Sequence, residues 1–453
     1  MRQAEYKIEE MSHRRLRVLS IASAYPSPPI GGTRILIYHQ LLEMARHHDV
    51  DLIAVDCPTG SNCDLKGLDA CASVRLVDLA ESERQWTVLE RIRWSSTSAP
   101  FFMYQRYSPR AQDLVDELLA RYDYDVVIAE DNEAGLYVRS RHSPPKVLTK
   151  HSILSVQREQ LATIAMSSAR RCVDHLYAQL LRRHERREAA LFDMVKLPTE
   201  ADRREWQRIV GSHHDPLVVT NGVDTEYFAY EERTGPVTHL IYTASFGAVP
   251  NVDAARLLVD EIYPRIVHAA GELPLYIVGK SPPDELRERG RRMGVTVTGT
   301  VAEVRPFFAG KPIATIPLRV ASGIINKVLE PMAMGVAVVA SPFAVEGLQT
   351  DPANVCLIAN TPDEFARAVA MLQVDPELYR RLTHAAHDYV VTQHSWPALM
   401  SKYRQAVETV ATGTWRVSAT SLARCPERAR QTSTAPIEGG AGVPSPDIPF
   451  NRS

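Results

Sequence analysis

The stretch Thr315–Leu348, TIPLRVASGIINKVLEPMAMGVAVVASPFAVEGL, reads as loop, helix, strand and loop in quick succession. Val320 to Gly323 is small and flexible. From about Ile324 the apolar positions Ile325, Val328, Leu329 and Met332 recur at helical spacing, and Gly335 supplies the positive φ that ends the helix. Val336 to Ala340 is then wholly apolar and rich in β-branched residues, the pattern of a strand buried on both faces in a parallel sheet. With Ser322 as N-cap, the helix opens with free N–H groups at Gly323 and Ile324. Lys327 follows Gly323 by four residues and Glu330 follows Lys327 by three, which places an anion receptor, a cation and an acceptor on one face. That set suits a nucleotide diphosphate, with N–H groups and lysine on phosphate and glutamate on ribose hydroxyls. It equally suits an ordinary helix start with a solvated Lys–Glu pair, and the segment alone leaves both open.

The same α/β rhythm runs outward in both directions. Upstream, His239 to Thr243, Leu275 to Val278 and Val295 to Gly299 read as strands, alternating with helices at Val252 to Ile266 and Asp284 to Met293. Downstream come helices at Pro362 to Leu372, Pro376 to Val391 and from Ser395-Trp396 to Val410. In the first half, Val18 to Ala22 is a strand followed by the turn-rich YPSPPIGGT, an amphipathic helix and a second strand at Val50 to Val55. Val126 to Ala129 and Lys146 to Thr149 are further strands, and a helix lies between at Ala111 to Leu119. Asn221-Gly222 and the polar Glu231 to Pro236 mark the passage between halves. The expected fold is α/β, two consecutive Rossmann-like, doubly wound domains facing a cleft. Their boundaries are a flexible N-terminus at 1–16, an N-terminal domain at 17–217, a C-terminal domain at 218–391 and a helix at 392–410. Residues 411–453, rich in Ser, Thr, Pro, Ala and Arg without periodicity, read as a disordered tail.

In an open parallel sheet, ligands bind beyond the carboxyl ends of the strands. Glu130, Asp131 and His151 follow strand ends and are candidates on that ground. Gly31 and Gly32 let backbone approach a phosphate or sugar, although a tight turn with no ligand has the same signature. Asp49-Val-Asp51 and Asp123-Tyr-Asp125 match a metal-holding DxD pattern, but each opens a strand, at the opposite edge of the sheet, so both are rejected. Neither His47-His48 nor His213-His214 can share one helical face, so no metal site is expected.

Bulk properties exclude several classes. The 52 basic residues nearly balance 54 acidic ones, which gives no footprint for nucleic acid. Six cysteines form neither a zinc spacing nor a dense framework, and a reducing cytosol is the simplest compartment. Met1 to Arg17 has no apolar core of a signal peptide, and no run of 18 apolar residues exists to span a membrane. Leu176 to Leu191 is a basic helix with Arg182, Arg183, Arg186 and Arg187. A solvated face is its default reading, and an anionic membrane surface, with the protein peripheral on the inner face of the membrane, is the other.

VASGIINKVLEPMAMGVAVVASPFAVEGL, with VVTNGVDTEYF, IYTASFGAVPNVDAARLL, YIVGKSPP and VTGTVAEVRPFF, resembles the family 4 retaining glycosyltransferases of GT-B fold. YPSPPIGGTRILIYHQLL and DYDVVIAEDNEAGLY fit the same group, and the likeness is greatest to bacterial sugar transferases of exopolysaccharide or exosortase systems. The resemblance implies a C-terminal domain that binds a nucleotide-sugar donor as substrate, with no cofactor or metal. It implies an N-terminal domain for a polysaccharide or lipid-linked acceptor. Lys327 matches the lysine on the donor diphosphate, Glu330 the glutamate on ribose, Gly31-Gly32 the loop over phosphate and sugar, and His151 the histidine near the transferred sugar. The implied donor wall is completed by Ser322, Gly323, Ile324 and Asn326, and the implied acceptor side by Thr33, Arg34, Glu130 and Asp131. His151, Lys327 and Glu330 form the expected catalytic set. The chain departs from the family at Ser322, where the first glutamate of E-x7-E belongs, at Ile325, and in SFGAVPN, which lacks the usual basic residue. Pro331 removes a helix hydrogen bond, costs about 3 kcal/mol in a helix interior, and disfavours helical geometry at Glu330, so a kink is expected there. A GT-B nucleotide-sugar epimerase and a non-catalytic GT-B module that binds a sugar or partner are the competing readings.

Overall fold

The computed structural model describes residues 14–27, 32–55, 68–78, 103, 107–140, 144–164, 167–320 and 323–414. The expectations for Gly31 and Ser322, for most of the N-terminus at 1–16 and for the tail from 415 fall outside them.

The N-terminal half contributes β1 (Arg17–Ala22), α1 (Gly32–His47), β2 (Asp49–Val55), β3 (Ser73–Val77), α2 (Pro109–Arg121), β4 (Val126–Ala129) and β5 (Lys146–Thr149). It continues with α3 (Leu154–Thr163), α4 (Ser168–Leu191), β6 (Met194–Leu197), α5 (Glu200–Val210) and β7 (Leu217–Val218). The strands form one sheet in the order β3-β2-β1-β4-β5-β6-β7, with every pair parallel. β4 and β5 are buried along their whole length, as strands covered on both faces must be. The sequence expectations omitted β3, β6, α3 and α5, whose short apolar runs are interrupted by Arg75, by Lys196 and by charged helical residues.

The C-terminal half contributes β8 (Leu240–Thr243), α6 (Val249–Leu257), α7 (Tyr263–Ala270), β9 (Leu275–Val278), α8 (Asp284–Arg292), β10 (Thr296–Gly299) and β11 (Ile313–Ile316). After these come α9 (Asn326–Ala333), β12 (Ala337–Ala340), β13 (Leu357–Ile358), α10 (Pro362–Val374), α11 (Pro376–Gln393) and α12 (Trp396–Ala411). Its sheet is parallel in the order β10-β9-β8-β11-β12-β13. The helix expected from Val252 to Ile266 is two helices joined by a π-helical turn at Leu258–Ile262. Strand order reverses between β1 and β4 in one sheet and between β8 and β11 in the other, so each domain has a crevice at the carboxyl ends of those strands.

The chain crosses between domains twice, side by side. Val223 N–H donates to the His394 carbonyl at 2.9 Å, and His394 Nδ1–H donates to the Asn221 carbonyl at 2.7 Å. After this second crossing α12 packs on the N-terminal domain, where Trp396, Met400, Tyr403, Val407 and Val410 join the core built on β1 and α1. Trp396 stacks on His39 with ring centroids 4.0 Å apart. The last helix therefore straps the two domains together from the N-terminal side.

Candidate active site

α9 begins later than its sequence pattern implies. Ile325, extended at φ −104° and ψ 96°, is the N-cap, and no side chain caps the helix. Gly323 has φ +75°, in the left-handed region, which takes it out of the helix. The free N–H groups of the first turn are thus those of Asn326 and Lys327, not Gly323 and Ile324, and they remain for water or an anion. Ile324 is 8 % exposed and its side chain belongs to the domain core. Asn326 Oδ1 accepts from Asn221 Nδ2 at 3.2 Å, which ties the start of α9 to the inter-domain crossing.

Gly323 is bent this way because of what it touches. A Cβ built on it lies 2.8 Å from the backbone oxygen of His151 and 3.3 Å from Pro198 Cγ, both from the N-terminal half. Gly347 closes on the same place, with its Cβ position 2.9 Å from the Gly323 oxygen and 3.1 Å from Thr199 Cγ2. The loop before α9 and the segment after β5, some 170 residues apart in sequence, therefore meet backbone to backbone. Gly323→Ala is expected to cost about 1–3 kcal/mol, through the left-handed φ and the clash, and to lower both melting temperature and turnover. Unchanged values of both would show that the chain does not need this contact.

Lys327 and Glu330 lie one turn apart on α9, both half-buried. Lys327 Nζ donates to Asn251 Oδ1 at 2.5 Å and stands 5.5 Å from the centre of the Tyr242 ring. Asn251, in the first turn of α6, in turn donates its Nδ2–H to the Ser245 carbonyl of the preceding loop at 2.7 Å, so the lysine is held by an amide in place of the basic residue missing from SFGAVPN. Burial pulls the Lys327 ammonium down to about 8, opposed by Glu330. Burial likewise pushes the Glu330 carboxyl up to about 7, opposed by Lys327. Pro331 does not break α9 before Glu330. It sits in the last turn of a helix that ends at Ala333, so the one bond lost is that to the Lys327 carbonyl. The next residues close the helix with Met334 N–H on Glu330 O at 3.2 Å and Gly335 at φ +69°.

His151 follows β5 and is held by its own neighbour strand. Its Nε2 lies 3.2 Å from the Glu130 carbonyl oxygen. A carbonyl only accepts, so Nε2 carries the proton and Nδ1 is the free acceptor. Burial, and secondarily the charge of Lys196, pull the imidazole down to about 3, so it is neutral over the whole physiological range.

Glu130 and Asp131 are not placed to meet an acceptor. Glu130 is 0 % exposed, its Oε1 accepting from Ser20 Oγ at 2.7 Å. Asp131 is 1 % exposed, its two oxygens accepting from Ser23 N–H and Ala134 N–H, both at 2.8 Å. The carboxylates turn inward because serines of β1 and the following loop supply donors that an exposed site would not need. Burial drives Glu130 up to about 8, and the same burial drives Lys196, fully buried on β6, down to about 7. Glu130 Oε2 and Lys196 Nζ have no hydrogen-bond partner among the described residues. Thr33 is exposed and Arg34 half-buried in the first turn of α1, which starts at Gly32. Asn251 and Tyr242 have no signal in the sequence, since a lone asparagine in a helix's first turn and a tyrosine in a strand give no pattern of their own, and Asn221 shows there only as a turn residue between the halves. The strand-opening aspartates carry structural bonds. Asp51 accepts from Tyr124 Oη at 2.8 Å and from Arg17 at 3.3 Å, and Asp125 accepts the Arg17 N–H at 2.8 Å.

Comparison with known proteins gives the same outline. Residues 30–227 match the glycosyltransferase family 4 description, and residues 238–375 match glycosyl transferases group 1. No match is found among curated proteins. Sucrose-phosphate synthase from Thermosynechococcus elongatus is similar in fold, with a TM-score of 0.64 at 16 % identity over 88 % of this chain and 100 % of that one. HepE from Anabaena, in complex with UDP and glucose, gives a TM-score of 0.61 at 13 % identity over 87 % of this chain and 100 % of that one. A variant of S. aureus TarM in a complex that includes UDP gives 0.59 at 10 % identity, over 86 % and 99 % of the two chains.

Proposed function

We propose that this GT-B glycosyltransferase of group 1 is a retaining hexosyltransferase, moving a hexose from a nucleotide sugar to a polysaccharide or lipid-linked acceptor in cell-surface glycan synthesis. The observation that carries the reading is the meeting of the two halves at Gly323. It puts the Lys327–Glu330 helix and the His151 segment at one place in a two-domain fold. The free N–H groups of Asn326 and Lys327 and the Lys327 ammonium hold the donor diphosphate, and Glu330 engages the ribose. In the same-face displacement, the acceptor oxygen bonds to the anomeric carbon as the carbon–phosphate oxygen bond breaks. The acceptor proton passes to the leaving phosphate. Lys327 stabilises the charge that develops on that phosphate, and Nδ1 of neutral His151 accepts a hydrogen bond from the transferred sugar. No step requires a metal or a separate protein base.

The protein works on the inner face of the membrane, held there by the exposed basic side of α4. Several of its arginines are already engaged, among them Arg170 with Asp174 at 2.9 Å, Arg182 with Glu159 at 2.6 Å and Arg186 with the Ile209 carbonyl at 2.9 Å, so the attraction is weaker than the sequence count implies. No helix among the described residues is long and apolar enough to cross a membrane.

The test is a panel of UDP-, GDP- and ADP-hexoses, read first by the rise in melting temperature and then by release of nucleotide. A ligand that binds only the native state must stabilise it. One nucleotide sugar is expected to raise the melting temperature and turn over with retention at the anomeric carbon; failure of the whole panel to bind or react overturns the reading.

A further inference from the structure

A cavity of about 890 Å³ opens between the two domains, beside the site just described. One wall is α3 and the start of α4, and Leu154 in that wall is three residues beyond His151. The other wall is the loop after β8 together with α6. There Pro250 and Val252 flank Asn251, the residue that holds Lys327. The volume lies inside the range of roughly 300–1,000 Å³ found for small-molecule sites.

The charge on these walls is high in number and zero in sum. Among the described residues, five arginines and five carboxylates line the cavity, and no lysine or histidine does. Every guanidinium is already paired. Asp174 takes Arg158 at 3.2 Å and Arg170 at 2.9 Å. Glu285 takes Arg256 at 2.6 Å and Arg289 at 2.7 Å, and Asp260 closes on Arg289 as well. Arg319 and Asp253 form a two-point pair. A phosphate or a run of uronates entering here would find no unpaired cation and would face carboxylates from both domains. Sugar hydroxyls, which donate and accept at once, suit donors and acceptors arranged alternately. Each guanidinium also has N–H groups beyond those its carboxylate uses. Between the pairs the walls are apolar, with Leu161, Ile164, Phe246 and Val249, surface that suits the C–H faces of sugar rings.

We propose that this cavity is the acceptor subsite and that it takes an uncharged oligosaccharide, the charge-balanced Arg–carboxylate pairs selecting against acidic glycans. This rests on the glycosyltransferase reading and deepens it: the group gripped next to the reacting hydroxyl is neutral sugar, whatever the acceptor carries at its far end.

The experiment measures binding of full-length protein to neutral hexasaccharides of glucose, mannose and galactose and to hexagalacturonate, by saturation-transfer NMR and titration calorimetry. At least one neutral hexasaccharide is expected to bind and hexagalacturonate is not. Arg158→Gln is expected to weaken the neutral ligand about tenfold. Asp174→Asn, which strips the counter-charge from Arg158 and Arg170, is expected to admit hexagalacturonate. Asp253→Asn, which frees Arg319 from the opposite wall, is expected to do the same and stands in should the Asp174 variant not fold. Tighter binding of hexagalacturonate than of every neutral sugar by the wild type overturns the proposal. So does absence of neutral-sugar binding while a nucleoside diphosphate still raises the melting temperature. If neither ligand class binds, the glycosyltransferase reading falls with it.

Discussion

Replacing Lys327 with alanine is expected to weaken binding of the donor's nucleoside diphosphate by about 10- to 100-fold, the loss of one charge-assisted contact of about 1.5–3 kcal/mol. Lys327 is the one cation in α9, NKVLEPMA, so no neighbour on that helix compensates for its removal. The ammonium is also poised to titrate, because burial sets it at about 8. Only the protonated form attracts phosphate, so affinity in the free protein is full below that value and falls as pH rises through it. Bound diphosphate raises the lysine further and shifts the fall upward. Calorimetric titration between pH 6 and pH 9 checks both points. Wild type should show a loss of affinity on the alkaline side, and Lys327→Ala should be weak throughout with no such limb. Equal affinity of the two proteins at pH 7, or an alkaline limb that survives the substitution, would remove Lys327 from the diphosphate site.

Most of the order of strands and helices, though not β3, β6, α3 and α5, was legible because it is written locally. Ala337 to Ala340 and Val126 to Ala129 are apolar runs of strand length, and each is a buried parallel strand. What sequence could not supply was anything decided by a distant partner. The glycine at 323 looks like the first turn of a helix until the His151 backbone, from the other domain, forces it to φ +75°. Glu130 and Asp131 follow a strand end, where a site residue is expected, and nothing nearby reveals that Ser20 and Ser23 turn them inward. α12 has a legible apolar face, but periodicity tells which side is buried and not against what. That it returns to α1 and stacks Trp396 on His39 is a matter of tertiary packing. The same limit applies to Asn251, which acquires meaning only because Lys327 reaches it across 76 positions. The site is thus legible as a set of residue types and illegible as a set of contacts.

His151→Ala is expected to lower turnover by about 100-fold while leaving donor affinity within about threefold of wild type, the range typical for a single preorganised polar group at a reacting centre. The argument turns on its protonation. An imidazole of ordinary pKa would gain a proton near 6.5, and a histidine acting as base would impose an acid limb on the rate. Here burial, reinforced by the positive charge of Lys196, holds the ring down near 3, and the Nε2–H bond to the Glu130 carbonyl fixes which nitrogen is bare. His151 is therefore a fixed, neutral acceptor between pH 5 and pH 9, and the ratio of wild-type to variant turnover should stay flat across that range. A diphosphate titration should likewise show no change at the Lys327 limb, since His151 contributes to the sugar end and not to the phosphates. Two results would sink this role: equal turnover in variant and wild type, or a wild-type acid limb near pH 6–7 that disappears in the variant. The second would mean that the ring takes a proton during the reaction, and that His151 works as a base.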